Sequence, residues 1–180
     1  MLIRRESPAD APAVRAVIAA AFAKPDNPDP VEATLLDALR GCEGWLPELS
    51  FVAVDHKPGS AGSDGSGEVI GHVVCTRGDI DGVPAVGLGP IGVRPDRQGE
   101  GIGLALVHSV LGAADALGEP LVALLGSPAF YGRFGFRTST EVGVLPPDPA
   151  WGEYFQIRTL TAYDPAARGT FTYAEPFDDL

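Results

Sequence analysis

The chain has 180 residues, enough for one well-buried core and short for two. Its formal net charge of −11 fits a solvated acidic surface, mildly favours a cationic substrate and argues against nucleic-acid binding, which needs clustered Lys and Arg. No apolar run approaches the roughly 20 residues that span a bilayer, so neither a nucleic acid nor a membrane is an expected partner.

Cysteine and histidine are sparse. Cys42 and Cys75 are too few for a disulfide scaffold and are expected to be buried thiols in a reducing cytoplasm. His56, His72 and His108 lack the spacing of metal ligands, so no metal is expected. The opening residues MLIRRESPAD hold no apolar segment of the secretory type, and a cytoplasmic protein is predicted.

The first quarter of the chain predicts a strand over residues 2–5 and two helices. SPAD at 7–10 combines a capping serine, a first-turn proline and a capping-box acid. DPVE at 29–32 repeats that start signal, and the second helix ends at Gly41. Apolar residues recur at helical spacing in both helices. They are Val14, Val17, Ile18 and Phe22 in the first helix, and Val31, Leu35, Leu36 and Leu39 in the second.

The middle of the chain predicts three strands joined by turns. Strands over 50–55 and 68–77 flank the polar, glycine- and serine-rich stretch 56–67, which is expected to be a long hairpin tip. GDIDGVP at 78–84 predicts a second turn. A third strand, over 85–94, is interrupted by Gly89-Pro90.

The second half of the chain predicts two helices and two strands. A helix over 102–117 has one broad apolar face and is ended by glycine and proline. PLVALLG at 120–126 is wholly apolar, as a central strand covered on both faces would be. A short helix over 128–131 and a strand near 154–160 follow. This order predicts one α/β domain with a mixed sheet.

A loop before the long helix is nearly free of side chains. It places Gly99, Gly101 and Gly103 at alternate positions. Amides at a helix N-terminus lack intrahelical partners, and glycines let an anion approach them closely. The pattern is therefore suited to phosphate binding, with Arg94 or Arg97 adding charge. A plain strand-to-helix connection, whose glycines serve helix packing, explains these glycines equally well.

Two other phosphate-binding patterns do not apply. The sequence contains no GxxxxGK[ST]. Residues 87–92 match GxGxxG, but they lie in a strand-like segment and no helix opens at Gly92. The context of a dinucleotide-binding fold is therefore missing.

Two segments resemble the markers of the GNAT superfamily of acyl-CoA-dependent N-acyltransferases. QGEGIG at 98–103 resembles its (Arg/Gln)-x-x-Gly-x-(Gly/Ala) signature. FYGRFGF at 130–136 resembles its second marker, a Tyr followed by Gly-Phe. One helix and one strand lie between the two markers, as in that family. The resemblance covers residues 2–136.

The resemblance implies the α/β fold of that family: a single domain with a mixed, mostly antiparallel central sheet flanked by helices. Residues 1–180 are expected to form one N-acetyltransferase domain. Its motif-bearing core covers about 2–140, and further strands lie in 141–180.

The resemblance also implies acetyl-CoA as co-substrate. In the family, amides of the glycine loop hold the CoA pyrophosphate, and the preceding strand pairs with the pantetheine arm and polarises the thioester carbonyl. The matching positions are Gln98, Gly99, Gly101, Ile102 and Gly103 for the pyrophosphate, and Ile91 and Val93 for the pantetheine arm. The next strand, 121–125, diverges to leave a gap for the acyl group and the amine. Gly89-Pro90 is either the bulge that opens this gap or an edge irregularity without a role.

The resemblance assigns Tyr131 the role of the acid that protonates the departing CoA thiolate; the alternative is a core tyrosine in an aromatic cluster. The base stays open. Family members that use a carboxylate on the central strand have it near 86–88, where this chain has Val-Gly-Leu. Glu32, Asp79 and His72 are candidates. A water chain, or an amine that arrives neutral, would need none of them.

We therefore expect an N-acetyltransferase that moves the acetyl group of acetyl-CoA to an amine of a small molecule or peptide by direct attack. A non-catalytic acyl-CoA-binding or sensing module is the alternative, and a structural domain without a ligand is a third. The amine, the acyl-chain preference and a homodimeric state all stay open.

Overall fold

The computed structural model of the chain describes residues 1–55 and 67–179. The predicted N-terminal elements are β1 (Leu2–Arg5), α1 (Ala11–Phe22) and α2 (Val31–Gly41). The start signal before α1 is confirmed, because the Asp10 carboxylate accepts the Ser7 backbone N–H at 2.8 Å and closes the capping box.

The start of α2 differs from the prediction. Pro30 occupies the N-cap position with an extended backbone (φ −70°, ψ 143°), and no side chain caps the helix. Asp29 therefore lies one residue too early to cap the first turn. The prediction of a second capping signal at Asp29-Pro30 is wrong, although Glu32 lies in the first turn as expected.

A mixed sheet occupies the centre of the molecule. Its further strands are β2 (Ser50–Asp55), β3 (Glu68–Ile80), β4 (Val83–Val93), β5 (Leu121–Leu125), β6 (Arg137–Thr138), β7 (Val144–Leu145), β8 (Phe155–Thr159) and β9 (Gly169–Thr172). The strand order is β1-β2-β3-β4-β5-β8-β6, and β9 pairs with the end of β3 and with β7. Among the described strands, β4–β5 and β7–β9 pair in parallel and the other pairs are antiparallel. The predicted mixed, mostly antiparallel sheet is confirmed.

The turn predicted over 78–84 is wrong in its extent. β3 continues to Ile80 and β4 begins at Val83, so that only Asp81 and Gly82 form the turn. Both have positive φ, 46° and 87°, as a two-residue hairpin turn requires. Gly78, which suggested a turn, lies inside β3, where a Cβ would come within 2.5 Å of a β9 carbonyl. Its lack of a side chain serves strand packing.

The hairpin tip predicted over 56–67 falls almost entirely on residues 56–66, which lie outside the described residues. The strands that flank it do pair antiparallel, with Asp55 opposite Glu68.

Helices cover both faces of the sheet. At Gly71, on β3, a Cβ would touch Ile102 of α3 (Ile102–Ala116). Gly92 of β4 pairs with His72, the residue after Gly71, and a Cβ at Gly92 would touch Ile18 of α1. Successive strand residues point to opposite faces, so α3 lies on one face and α1 on the other. Buried residues of α2 join the α1 cluster. The prediction of a sheet flanked by helices is confirmed.

Candidate active site

A bulge bends β4 near the middle of the sheet. The β3 residues on either side of Val74 pair with Leu88 and Ile91, so Gly89 and Pro90 both lie opposite Val74. Two residues opposite one form a β-bulge, which bends its strand. The bulge predicted at Gly89-Pro90 is therefore present.

β4 and β5 separate next to this bulge. Their parallel pairing ends at Gly87 and Ala123, whereas β5 pairs with β8 over its whole length. After β5, the Gly126 N–H donates to the Tyr154 carbonyl at 2.9 Å. The buried Gln156 amide donates to the Gly126 carbonyl at 2.8 Å. These bonds hold the end of β5 against β8, and a gap opens between β4 and β5, as expected.

The edge of β4 that faces the gap carries free backbone groups. The Arg94 N–H donates to the Ile70 carbonyl on β3 at 3.0 Å. Alternate residues of a strand direct their N–H and C=O to opposite edges, so Ile91 and Val93 direct theirs toward the gap. The Val93 carbonyl accepts the Gln98 side chain at 3.1 Å. The Val93 N–H and both polar groups of Ile91 have no partner strand within the described residues.

A groove of about 450 Å³, here called the glycine groove, leads from this edge to the N-terminus of α3. Its lining includes Ile91, Gly92, Val93, Gln98, Gly99, Gly101, Ile102, Gly103, Phe130 and Arg133. Gly99 and Gly101 have positive φ, 83° and 81°, and a Cβ at either would meet nothing within 4 Å. Packing therefore does not explain these two glycines. They leave an open cradle in front of the first α3 amides, which have no acceptor within the helix, and the cradle fits a phosphate-type anion.

The two arginines predicted to add charge beside this cradle are both paired with carboxylates of the chain. Arg94 does not line the groove and pairs with Glu68 and Asp96. Arg97 lines it but donates to the carboxylates of Asp55 (2.7 Å) and Glu100 (2.8 Å).

The groove also contains Arg133, which sequence reasoning missed. Its guanidinium lies 5.0 Å from the centre of the Phe130 ring and has no ion-pair partner among the described residues. The positive charge of Arg133 is thus more available to an anionic ligand than that of Arg94 or Arg97.

A second depression, here called the aromatic cavity, has a volume of about 680 Å³ and shares Ile91 with the glycine groove. Its walls come from α1, α2, the β4 bulge, the end of β5 and residues 141–179, here called the C-terminal segment. The aromatic lining residues are Phe22, Tyr131, Trp151, Phe171, Tyr173 and Phe177. The carboxylates that line it are Glu32 and Asp178. The cavity thus opens where β4 and β5 part.

Tyr131 lies on the wall of the aromatic cavity. It ends the short helix α4 (Pro128–Tyr131), and its amide donates to the Ser127 carbonyl at 3.0 Å. A Cβ at Gly126 would come within 2.3 Å of the Tyr131 ring, so the ring packs directly against that glycine. Phe130 contacts it edge-on at a centroid distance of 4.9 Å. Burial raises the pKa of Tyr131 to about 12, which keeps the phenol protonated at neutral pH.

The three predicted base candidates lie in different places. Glu32 is half-buried, lines the aromatic cavity and has no hydrogen-bond or ion-pair partner among the described residues. Asp79 accepts the Gly82 N–H at 2.7 Å in the β3–β4 turn, outside the cavity. His72 is fully buried on the α1 face, with Nε2 at 3.0 Å from Glu6. The structure brings only Glu32 together with Tyr131.

Of strand positions 86–88, which hold no carboxylate in this chain, Gly87 is covered by an aromatic ring. A Cβ at Gly87 would come within 2.6 Å of two ring atoms of Tyr173. Burial raises the pKa of Tyr173, whose phenol is therefore protonated at neutral pH. The ring comes from the C-terminal segment, which supplies much of the cavity wall and for which the sequence predicted no role. The alternation of Phe171 and Tyr173 was the available signal, since period two places both on one face of a strand.

No cluster of three or more His, Cys, Asp or Glu side chains that could hold a metal ion occurs in residues 1–55 and 67–179. Nor does the described part of the chain contain a helix long and apolar enough to cross a membrane.

The strand bulge, the parted strands and the glycine groove together define an acyltransferase of the kind that the sequence markers resemble. Residues 47–138 match the family profile of the acetyltransferase (GNAT) domain. The chain belongs to the GNAT acetyltransferase family, and the predictions of family, fold and enzyme class, an acyl-CoA-dependent acetyltransferase, are confirmed.

Two relatives are similar over nearly the whole chain. The N-acetyltransferase YhbS of Escherichia coli strain K12, itself uncharacterized, is 33% identical over 162 residues, 89% of this chain and 87% of that protein. The crystal structure of E. coli YhbS in complex with CoA superimposes with a TM-score of 0.82 at 31% identity, covering 98% of this chain and 91% of that one. A GNAT acetyltransferase of Brucella melitensis, solved with acetyl-CoA, gives a TM-score of 0.73 at 32% identity, covering 98% and 97%.

Proposed function

We propose that the protein transfers the acetyl group of acetyl-CoA to an amine of a small molecule or peptide. The observation that carries this proposal is that the glycine groove and the aromatic cavity meet at Ile91, beside the unpaired edge of β4. One depression suits a phosphate-bearing cofactor, the other suits an acceptor, and free backbone groups lie between them. The solved relatives with CoA and acetyl-CoA support the choice of cofactor.

The glycine groove would hold the cofactor. The open cradle at Gly99 and Gly101 and the first amides of α3, those of Ile102 and Gly103, suit the pyrophosphate. In this proposal the Gln98 side chain acts indirectly, by holding the loop against the Val93 carbonyl. Arg133 would supply the positive charge, because Arg94 and Arg97 form ion pairs with carboxylates of the chain. The free backbone groups of Ile91 and Val93 would pair with a pantetheine arm.

Glu32 and Tyr131 would act as the general base and the general acid of the reaction. When bound, acetyl-CoA supplies an activated acetyl thioester. Glu32, unpaired on the cavity wall, would accept the proton of the substrate ammonium group through water. The Tyr131 hydroxyl keeps its proton at neutral pH and would donate it to a departing thiolate. The β4 amides would orient the carbonyl oxygen of the acyl group.

A non-catalytic acyl-CoA-binding module is the second candidate. Residues 86–88 favour it, because this stretch, near which some family members carry a carboxylate, holds none here, and the Tyr173 ring covers Gly87. In either case we propose that residues 1–180 act as one domain, since the C-terminal segment completes the cavity wall.

A cytoplasmic location stays our proposal, and both cysteines are free thiols, in keeping with it.

Release of CoA from acetyl-CoA, measured over a panel of primary amines, tests the proposal. We expect amine-dependent release, together with a higher melting temperature in acetyl-CoA, because a ligand that binds only the folded state stabilises it. Thermal stabilisation without turnover on any amine would select the binding module. No stabilisation at millimolar acetyl-CoA would reject both candidates.

A further inference from the structure

The aromatic cavity has a specific chemical character. Its volume of about 680 Å³ suits a small molecule, and its walls are mostly aromatic and aliphatic. Leu35 is buried on the α2 side, and Trp151 and Phe177 are half-buried on the side of the C-terminal segment. Apolar walls of this extent favour a ligand that buries an apolar body of its own.

The charges on the walls all have one sign. Glu32 and Asp178 line the cavity, whereas no Lys, Arg or His is found among its described lining residues. Neither carboxylate has a hydrogen-bond or ion-pair partner in the described part of the chain, so neither is neutralised by the protein. Glu32 is half-buried and Asp178 is exposed. A ligand with a positive charge would therefore be attracted, and one with a negative charge would find no cation.

We infer that the acceptor is a primary amine with a bulky apolar or aromatic body and no carboxylate beside the amine, an aralkylamine rather than an amino acid. This inference rests on the proposed function and narrows its substrate class. The ammonium group would lie toward Glu32, and the apolar body would contact the walls around Trp151 and Phe177.

The inference excludes two other kinds of amine. An amino acid would bring its carboxylate within the same cavity as Glu32, and an uncompensated charge next to a like charge in a partly buried site is unfavourable. A polyamine would satisfy both carboxylates but leave the aromatic walls without an apolar partner. Only an amine that combines one positive charge with one hydrophobic body satisfies both the carboxylates and the apolar walls.

The test compares matched amines on the wild-type protein. We expect kcat/KM for phenylethylamine to exceed that for phenylalanine by about 100-fold. We expect kcat/KM for phenylethylamine to exceed kcat/KM for ethylamine by about 10- to 100-fold, the factor that burial of one phenyl group provides. Phenylalaninamide, which keeps the body but lacks the carboxylate, should behave like phenylethylamine. Equal rates with phenylalanine, or a preference for spermidine, would overturn the inference and leave the acetyltransferase activity in place.

Binding in the presence of CoA, measured by calorimetry, gives a readout that needs no turnover. We expect phenylethylamine to bind and phenylalanine not to bind. Binding of phenylethylamine without acetylation would support the ligand class inferred for the aromatic cavity and reject both its role as acceptor and the proposed activity. No binding of any of these amines would overturn the inference.

Variants that neutralise the two carboxylates test whether these charges cause the preference for phenylethylamine over phenylalanine. The ratio of kcat/KM for phenylethylamine to that for phenylalanine cancels any loss of proton transfer, because both substrates need the same base. Glu32→Gln should lower this ratio about 10-fold, and Asp178→Asn about 3-fold because that carboxylate is exposed and screened. Asp179→Asn is the matched control, since Asp179 is exposed next to Asp178 but does not line the cavity. An unchanged ratio in Glu32→Gln and Asp178→Asn would overturn the assignment of these charges.

Discussion

Tyr131 is held in place by packing. Its ring lies against Gly126, where a Cβ would come within 2.3 Å, and touches Phe130 and Phe136 edge-on. The ring therefore belongs to an aromatic cluster, as the alternative interpretation of the sequence held, and still lines the cavity. The core position and the proposed catalytic role are compatible, because the packing fixes the ring while the hydroxyl has no partner among the described residues.

Replacing Tyr131 with Phe tests the proposed acid. The variant keeps the ring and its contacts, so we expect the melting temperature and the CoA affinity to stay as in the wild type. We expect kcat to fall by about 10²-fold, the lower end of what general acid catalysis provides, because a thiolate is a tolerable leaving group. The measurement is CoA release at saturating amine. Tyr154→Phe, at an exposed tyrosine, is the control, and full activity in Tyr131→Phe would reduce Tyr131 to a packing residue.

His72 and Glu6 form a buried polar cluster that lines neither the glycine groove nor the aromatic cavity. Arg40 donates to Glu6 at 2.7 Å, and Ser50 also donates to it. Burial opposes ionisation of Glu6, but the hydrogen bonds from His72 and Ser50 and the nearby charges outweigh it and lower the pKa of Glu6 to about 2. Burial also lowers the pKa of His72. The cluster thus ties β1 to β2 and β3 through groups that acid would disturb.

This cluster predicts a loss of stability in acid. A carboxyl group with a lowered pKa stabilises the fold above its ordinary pKa of 4.5, and the contribution is lost as the pH falls from there toward about 2. His72 acts in the same direction, because the unfolded chain takes up its proton near the ordinary pKa of 6.5 and the folded chain does so only at lower pH.

Melting temperatures measured between about pH 7 and pH 3 test this expectation. Glu6→Gln should melt lower than the wild type at neutral pH and lose less on acidification. Glu48→Gln, at an exposed glutamate, should follow the wild type. Parallel curves for Glu6→Gln and the wild type would show that Glu6 does not carry the dependence.

At the scale of elements, the junction of β4 and α3 was the most predictable part of the site. The sequence indicated a special backbone at Gly99 and Gly101, and both residues have positive φ, a conformation that other residues rarely adopt. The charge partners were not predictable, because Arg97 reaches Asp55 at the end of another strand, 42 residues away in sequence. Local patterns describe the backbone of a loop, whereas ion pairs depend on which strands become neighbours.

Gly101→Glu should abolish the rise in melting temperature that acetyl-CoA causes in the wild type, because it places bulk and negative charge in the cradle. Gly118→Glu is a closely matched control. Gly118 follows the other end of α3, has a φ of 77° and, like Gly101, would have nothing within 4 Å of a Cβ. Both variants thus carry a similar backbone cost of about 1 kcal/mol, and only Gly101→Glu should lose CoA affinity in calorimetry. Equal affinity in the folded Gly101→Glu variant would contradict the proposed cofactor site.

At the scale of the whole molecule, the aromatic cavity joins parts of the chain that are distant in sequence. Phe22 comes from the first helix and Asp178 from the last described residues. The central elements were predictable because their periodicity, caps and glycines are local signals. In the C-terminal segment the sequence located only the strand near 154–160, which is β8. The short strand β9 could not be located in this way, since it is held by contacts to β3 and by a cluster of aromatic rings. Its part in the site appears only once the fold brings it beside the β4 bulge.

Phe177→Ala tests whether the C-terminal segment forms the acceptor site. Phe177 packs against Tyr173 at a centroid distance of 4.8 Å and lies near Gly89 of the bulge. We expect the KM for an aromatic amine to rise about 10-fold through the lost apolar contact, with CoA affinity unchanged. Leu117→Ala, an exposed leucine after α3, is the control. A lower CoA affinity with an unchanged KM for the amine would assign the segment to the other depression.

The contact between Gly87 and Tyr173 limits how the C-terminal segment can be exchanged among homologous enzymes. Any side chain at 87 needs the space that the Tyr173 ring fills, so an acidic residue at 87 and this ring exclude each other. A chimera that receives this segment would keep its packing only if its strand also carried glycine at the position of Gly87. Conversely, installing a strand carboxylate in this chain would require a shorter residue at 173. We therefore expect the residue at 87 and the C-terminal segment that lines the aromatic cavity to change together among homologues.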